Sequence, residues 1–170
     1  MLIIAAEGNN FSSKAIEWVS SYKKSHMALR YTGDREHWLI HAKTGGVQPQ
    51  WWNRFQEHYI NFFKWKTNIE VAEQAADNII TEIGTKDYDH FSLYGFAIFL
   101  LLRKIGIKLS KNPFGNPNKF MCTEVIVAWV RECKRLDPTL AITENFDTEL
   151  ASVEDIVNFL DSYPQYFSRI

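Results

Sequence analysis

The sequence predicts an α+β fold in which an antiparallel sheet packs against several amphipathic helices. Residues 25–31 and 37–42 alternate as two strands around a short turn, and residues 61–65 alternate in the same way. The other long apolar segments repeat with the period of a helix that buries one face. A chain of 170 residues, 46% of them hydrophobic, can bury one sizeable core, so we expect a single domain over residues 1–170.

Composition and charge exclude several classes of protein. A formal net charge of −1 argues against a dedicated nucleic-acid binder, and the 15% of aromatic residues fit core packing better than base stacking. The first residues lack the basic start of a signal peptide. The most apolar segment, residues 91–102, is shorter than the roughly 20 residues that cross a membrane. We therefore expect a soluble, cytoplasmic protein without stable membrane insertion, although export by another route stays open.

The predicted hairpin brings two histidines together. Gly33 and Asp34 suit a two-residue turn, and that turn places His26 directly opposite His41 on one face. Directly opposed side chains in an antiparallel pair have Cβ atoms about 4.5–5.5 Å apart. A single histidine on a strand is more often structural than catalytic, but two opposed imidazoles suit a base and the group that orients it.

Several helices are expected along the chain. The spacing of Thr67 and Glu70 is that of a capping box, and Gly84 supplies the end of that helix. Its predicted buried stripe consists of Ile69, Ala72, Ala76, Ile79, Ile80 and Ile83. The other predicted helices are a short one after Ser12 or Ser13, residues 51–59, a largely buried helix at 91–105, residues 118–133, and a last helix that begins after Ser152. Residues 110–118 read as a loop because of their proline, glycine and asparagine content.

The helix at residues 118–133 carries the most informative residue. Its apolar positions recur on one face: Cys122, Val125, Ile126, Trp129, Val130 and Cys133. Cys122 heads this stripe, near the helix N-terminus, where the backbone N–H groups and the helix dipole favour a thiolate. The competing interpretation is that Cys122 is simply the first core residue of the stripe. The two cysteines lie about three turns apart, roughly 16 Å, so they cannot form a disulfide with each other.

Four pieces of sequence, taken in order, resemble a known family. They are Ser25-His26-Met-Ala-Leu, Ile40-His41-Ala-Lys-Thr-Gly-Gly-Val47, Tyr88-Asp89 and Met121-Cys122-Thr-Glu-Val125. Together they are similar to the circularly permuted branch of the NlpC/P60 (papain-like) superfamily, which includes the lecithin:retinol-acyltransferase-like proteins. Two features depart from that pattern. The chain lacks the Asn-Cys-Glu-His form of the acyltransferase-like proteins, and residues 51–84 make a longer segment than the pattern needs.

The resemblance implies a papain-like antiparallel sheet packed against the cysteine helix, and cysteine hydrolase chemistry without a metal or other cofactor. Cys122 would be the nucleophile, His26 its general base and His41 the residue that orients His26. A thiolate–imidazolium pair would attack an amide carbonyl and form an acyl-enzyme, with the Cys122 backbone N–H as one oxyanion donor. Glu124 matches the motif and suits packing or capping. The favoured substrate is a peptide or acyl compound, with a peptidoglycan stem peptide first.

Three other functions stay open at this point. His26, His41 and Cys122 are a chemically adequate ligand set for a catalytic zinc ion, so a zinc-dependent hydrolase is one alternative. The aromatic content also suits a thiol enzyme that acts on lipids, either an acyltransferase or a phospholipase. The third alternative is an inactive relative that only binds peptide or cell-wall fragments.

Overall fold

The computed structural model describes residues 1–7, 14, 17, 23–43, 46–57, 59–84, 90–107, 121–143 and 151–170. Within these ranges the chain forms one six-stranded sheet and four α-helices. The strands are β1 (Leu2–Ala6), β2 (His26–Arg30), β3 (Trp38–Lys43), β4 (Gly46–Trp51), β5 (Tyr59–Trp65) and β6 (Phe167–Arg169). The helices are α1 (Ile69–Ile83), α2 (His90–Lys104), α3 (Cys122–Leu136) and α4 (Val153–Asp161). The predicted α+β class is confirmed.

The sheet is antiparallel throughout, with the strand order β4-β3-β2-β1-β5-β6. The central β1 strand was not predicted from the sequence. Its five residues are all apolar and all buried, so they show no alternation. This strand joins the predicted hairpin to β5, because Ala6 pairs with His26 on one side and with Tyr59 on the other.

The two faces of the sheet carry different partners. On one face, Met27, Leu29 and Ile40 belong to the main core, together with the buried stripes of α1, α3 and α4. On the other face, Ala28 and Leu39 form a smaller apolar cluster with other buried side chains, namely Leu2, Ile4, Ala6, Trp52 and Tyr59. Alternation along the strands puts His26 and His41 on this second face. The α1, α3 and α4 helices therefore pack on the face opposite the two histidines.

The hairpin is present, but the predicted register is wrong by two residues. Its loop is a 3-10 turn at Gly33–Arg35, and Leu29 pairs with Ile40, so Ala28 rather than His26 lies opposite His41. A shift of two residues keeps each side chain on its face, which is why the histidines still share one. The loop is held by Arg35, whose guanidinium donates to Asp77 at 2.9 Å and to Glu73 at 2.9 Å on α1.

Two predicted boundaries also differ from the structure. Asn68, not Thr67, caps α1, because its side-chain oxygen accepts hydrogen bonds from the backbone N–H groups of Glu70 and Val71. Ile69, which was predicted to be buried, is exposed. The segment predicted as a helix at 51–59 is instead the end of β4, a 3-10 turn at Trp52–Arg54 and the start of β5. Most of the helix predicted after Ser12 or Ser13, the 110–118 loop and the Tyr88-Asp89 pair lie outside the described residues.

The α2 helix is less buried than its composition predicts. Phe96, Phe99 and Leu100 are buried, but Ile98 and Leu101 are exposed to solvent. None of the helices in the described ranges has the length and apolar character that crossing a membrane requires.

The α3 helix begins at Cys122, and every residue of its predicted stripe is buried. Met121 occupies the N-cap position with extended backbone. The Glu124 carboxylate accepts a hydrogen bond from the Met121 backbone N–H, so the capping role expected for Glu124 is confirmed. This bond fixes the backbone immediately before Cys122, and with it the position of the thiol.

The Glu124 cap predicts a measurable loss of stability. Replacing Glu124 with Ala removes the acceptor of the Met121 N–H and should lower the free energy of unfolding by about 1 kcal/mol. Glu124→Gln keeps an acceptor oxygen and should lose clearly less. Urea denaturation of both variants measures the difference, and an alanine variant as stable as the parent chain would contradict the cap.

Candidate active site

The Cys122 thiol lies beside the backbone of β2, where β2 and β3 part. These two strands pair at Leu29 and Arg30 but not further towards His26, whereas β3 stays paired with β4 from end to end. The Cys122 Sγ lies 3.9 Å from the Ser25 carbonyl oxygen, to which the thiol donates, and the Met27 backbone N–H also reaches the sulfur. The thiol thus contacts the backbone of the two residues that flank His26, where β3 would lie if its pairing with β2 continued.

The second face of the sheet holds a cluster of three rings around this position. The His26 and His41 ring centroids are 5.7 Å apart and nearly perpendicular. The Tyr59 ring lies 5.9 Å from His26 and 6.4 Å from His41, and its hydroxyl is 3.1 Å from His41 Nδ1. We call His26, His41 and Tyr59 the ring cluster.

Ala6 makes the ring cluster possible. It stands between Tyr59 and His26 in the same row across the sheet, since it pairs with both. Side chains opposite one another in a row share a face, so a large residue at this position would separate the two rings. The methyl group of alanine leaves room for Tyr59 to reach over β1 and β2 as far as His41.

Aromatic side chains enclose His41 further. Its ring packs edge-on against Phe55, with 5.0 Å between centroids, and its side chain is buried. Trp52, from the 3-10 turn after β4, packs beside Tyr59 and is covered by the Arg30 guanidinium at 4.3 Å. The β4–β5 connection therefore forms an apolar wall along one side of the site.

Burial raises the pKa of the Cys122 thiol to about 11, although the backbone N–H groups of Met27, Thr123 and Cys122 itself act in the opposite direction. The sequence predicted a lowered thiol pKa at this helix N-terminus, and that prediction is wrong for this structure. The reason is that desolvation of the charged sulfur outweighs the nearby backbone dipoles. The Cys133 pKa is also raised, again chiefly by burial.

Burial also lowers the pKa of His26, to about 4. At neutral pH the imidazole is therefore neutral and the thiol protonated, so the two groups do not form an ion pair. No hydrogen bond joins the Cys122 thiol to the His26 ring among the contacts of the described residues. Catalytic hydrogen bonds are often long in structures without substrate, and they tighten when it binds.

The described residues do not favour the zinc alternative. Among them, no group of three His, Cys, Asp or Glu side chains is arranged so that it could hold a metal ion. His26, His41 and Cys122 all belong to the described part of the chain, so this result applies to the ligand set that the sequence suggested. A cavity of about 430 Å³ lies elsewhere, at the hairpin loop and the start of α1, lined by Thr32 to Arg35 and by Ile69, Glu70 and Glu73.

Tyr59 is the member of the ring cluster that sequence reasoning missed. The sequence analysis placed it at the end of the helix predicted at residues 51–59, and no motif marks it. Recognising it requires β1, because the register through Ala6 is what places Tyr59 beside His26. The alternation of residues 59, 61, 63 and 65 along β5 was the available signal, but it does not by itself reveal the neighbouring strand.

No protein-family model matches this chain, and no curated protein or solved structure matches it either. The relationship to the permuted NlpC/P60 proteins therefore stays a prediction from the residues.

The lowered pKa of His26 predicts an acid-sensitive fold. Between a pH of about 6.5 and about 4 the unfolded chain binds a proton at this residue that the native chain does not, so stability rises with pH across this window and falls as the pH is lowered. We expect His26→Gln to remove about 1–3 kcal/mol of this pH dependence. Urea denaturation at pH 7 and at pH 4.5 measures it.

The matched control is His37→Gln, because His37 is exposed at the other end of the hairpin. It should leave the pH dependence of stability as it is in the parent chain. Equal pH slopes for the parent and His26→Gln would show that the native state does not resist protonation of His26.

Proposed function

We propose that this protein is a cysteine hydrolase in which Cys122 is the nucleophile, His26 the general base and His41 the residue that orients His26. The observation that carries the proposal is the position of the Cys122 thiol. It contacts the backbone of the residues before and after His26, in the part of β2 that does not pair with β3. The substrate class favoured by the family resemblance is an amide, with a peptidoglycan peptide first.

The proposed reaction begins with two neutral partners. Because the His26 pKa is about 4 and the Cys122 pKa about 11, the proton moves from the thiol to the imidazole only as the sulfur attacks the carbonyl carbon. The C–N bond then breaks, and the imidazolium gives its proton to the leaving amine. Water, deprotonated by the same imidazole, releases the acyl group and restores the thiol.

Backbone N–H groups beside the sulfur supply the proposed oxyanion site. The Cys122 N–H was expected from the sequence, and the Met27 and Thr123 N–H groups also lie next to Sγ. Met27 is on β2 where the pairing with β3 has ended, so its N–H is a suitable second donor to a tetrahedral oxyanion.

Tyr59 has a positioning role in this proposal. Burial, and to a smaller extent the negative charge that Cys122 carries once it ionises, raises the pKa of the Tyr59 phenol, so the hydroxyl stays protonated and can donate to His41 Nδ1. The His41 proton then resides on Nε2.

A second candidate function is favoured by the same electrostatics. A thiol of raised pKa and a histidine of lowered pKa are also what an inactive relative would contain, and such a protein would bind peptide or cell-wall fragments without cleaving them. Catalysis and binding differ in whether Cys122 forms a covalent bond that depends on His26.

Alkylation of Cys122 tests the proposed general base. We expect iodoacetamide at pH 7 to modify Cys122 at least about tenfold faster than Cys133, because the thiol of Cys122 lies against the residues that flank His26, the proposed base. His26→Gln should remove this advantage, and peptide mass spectrometry reports each site separately. If both cysteines react equally slowly and His26→Gln changes nothing, the hydrolase is overturned and the binding function remains.

Purified peptidoglycan tests the substrate. Incubation should release stem-peptide fragments that mass spectrometry identifies, and Cys122→Ser should release none. Cys133→Ser is the matched control, since it alters the same helix away from the site and should keep the activity. Fast alkylation of Cys122 without peptidoglycan cleavage would keep the enzyme and change its substrate.

Tyr59→Phe tests the positioning role, because it removes the hydroxyl and keeps the ring. We expect the alkylation rate of Cys122 at pH 7 to fall by about tenfold, through loss of the correct His41 tautomer, while the free energy of unfolding changes by less than about 1.5 kcal/mol. Phe55→Leu changes the other ring against His41 and leaves the Tyr59 hydroxyl in place, so it should keep the rate. An unchanged rate in Tyr59→Phe would assign Tyr59 to packing alone.

A further inference from the structure

We propose that the Arg30 guanidinium binds a carboxylate group of the molecule that occupies the Cys122 site. The inference rests on the proposed function, in which this molecule is the substrate, and it assigns a chemical feature to that substrate. It is carried by the position of Arg30 on the face of the ring cluster and by the contacts that hold its guanidinium.

Arg30 lies on the same face of the sheet as the ring cluster. It pairs with Leu2 on β1 and with Leu39 on β3. Both leucines belong to the smaller apolar cluster on that face, and side chains opposite one another in a row share a face. Arg30 follows His26 by four positions on β2, which corresponds to about 13 Å along the strand. A ligand held at His26 can therefore reach Arg30 with an extended chain of about three or four residues.

The end of the hairpin loop holds the Arg30 guanidinium in one orientation. Its Nε–H donates to the Glu36 carbonyl at 3.2 Å, and its Cζ lies 4.3 Å from the centroid of the Trp52 ring. The next carbonyl of the chain, that of His37, accepts a hydrogen bond from the Trp52 backbone N–H at 2.7 Å. Two adjacent carbonyls thus fix both the guanidinium and the ring on which it stacks. An arginine held through Nε and one flat side keeps its two terminal amino groups for a ligand.

The charge of Arg30 forms no ion pair with a carboxylate in the described part of the chain. Arg169 also lies over aromatic rings, but its guanidinium is paired with Asp161. Burial lowers the pKa of Arg30 by more than the charge of Glu36 raises it. The guanidinium still stays charged at neutral pH. It is therefore a partly desolvated cation whose terminal donors suit a two-pronged contact with a carboxylate.

A second basic side chain stands in the same row of the sheet. Lys64 on β5 pairs with Leu2 from the side opposite Arg30, so both basic residues share one face. Lys64 is exposed, and among the described residues it too forms no ion pair with a carboxylate. Two strand spacings separate the two residues, about 10 Å. Lys64 therefore adds positive potential around Arg30 without competing for the same ligand atoms.

Two affinity reagents test the proposal on the full chain. N-iodoacetyl-triglycine carries a carboxylate about 12 Å from its reactive carbon when extended, and its carboxamide has the same length without the charge. We expect the carboxylate reagent to alkylate Cys122 of the parent chain about tenfold faster than the carboxamide reagent does. Arg30→Met should bring this ratio to about one. Arg30→Lys should leave a ratio of about three, because it keeps the charge and loses the planar fork.

Arg169→Met is the matched control, since it removes a ring-stacked arginine whose charge is already paired, and it should keep the parent ratio. Each ratio compares two reagents on one variant, so a general change in thiol reactivity cancels. Circular dichroism checks that each variant is folded. A parent ratio of about one, or a tenfold ratio that survives Arg30→Met, would overturn the carboxylate site. Alkylation of Cys122 by iodoacetamide that still depends on His26 would then leave the hydrolase standing.

A binding measurement decides the case in which Cys122 reacts with neither reagent, a result that overturns the hydrolase alone. The Cys122→Ser variant is titrated by NMR with acetyl-triglycine and with its carboxamide. The carboxylate peptide should shift the Trp52 indole N–H signal, which Trp52→Phe identifies, at concentrations at least about tenfold lower than the carboxamide needs. That preference would assign Arg30 to the ligand of the binding function. Equal titrations by the two peptides would overturn the carboxylate site as well.

Discussion

The arrangement of the candidate site depends on how the first turn of α3 meets β2. The thiol of Cys122 reaches the strand backbone because the pairing of β2 with β3 stops before His26. The position of the helix is fixed further along, where Trp129 is fully buried and its indole N–H donates to the Ala72 carbonyl of α1 at 2.8 Å. Trp129, two turns after Cys122, thus fixes the helix so that the cysteine lies where β2 and β3 are no longer paired. The packing of α3 in the core therefore also positions the Cys122 thiol.

The same packing sets the charge state of the site. A thiol placed against the sheet is removed from water, and the N–H groups of the helix start do not compensate for that loss. His26 lies beside both His41 and Tyr59 and stays neutral for the same reason. The packing that positions Cys122 and His26 therefore also keeps the thiol protonated and the imidazole neutral. In the proposed enzyme the attacking sulfur would acquire its charge only when a carbonyl is within reach.

What the sequence predicted correctly followed from periodicity. The buried stripe of α3 depends only on the 3.6-residue repeat of a helix, and the shared face of His26 and His41 only on the 2-residue repeat of a strand. Both repeats are visible in a short stretch of sequence. The exact hairpin register depends on Arg35 and its carboxylate partners on α1, so turn chemistry alone gave a register two residues away. Recognising Tyr59 as part of the site depended on β1, an apolar strand without alternation. The pKa of the Cys122 thiol depended on its burial. Neither the β1 pairing nor that burial can be read from residue spacing.

The protonated state of Cys122 has a consequence for its chemical durability. Peroxides attack the thiolate, so a cysteine with a pKa of about 11 oxidises slowly at neutral pH. Many reactive cysteines need a reducing environment or a dedicated repair partner to remain usable. Here the burial that raises the thiol pKa also slows conversion of the sulfur to sulfenic acid. In the proposed enzyme, the protonated thiol would survive oxidants for longer, and it would react chiefly with a substrate that binds beside His26.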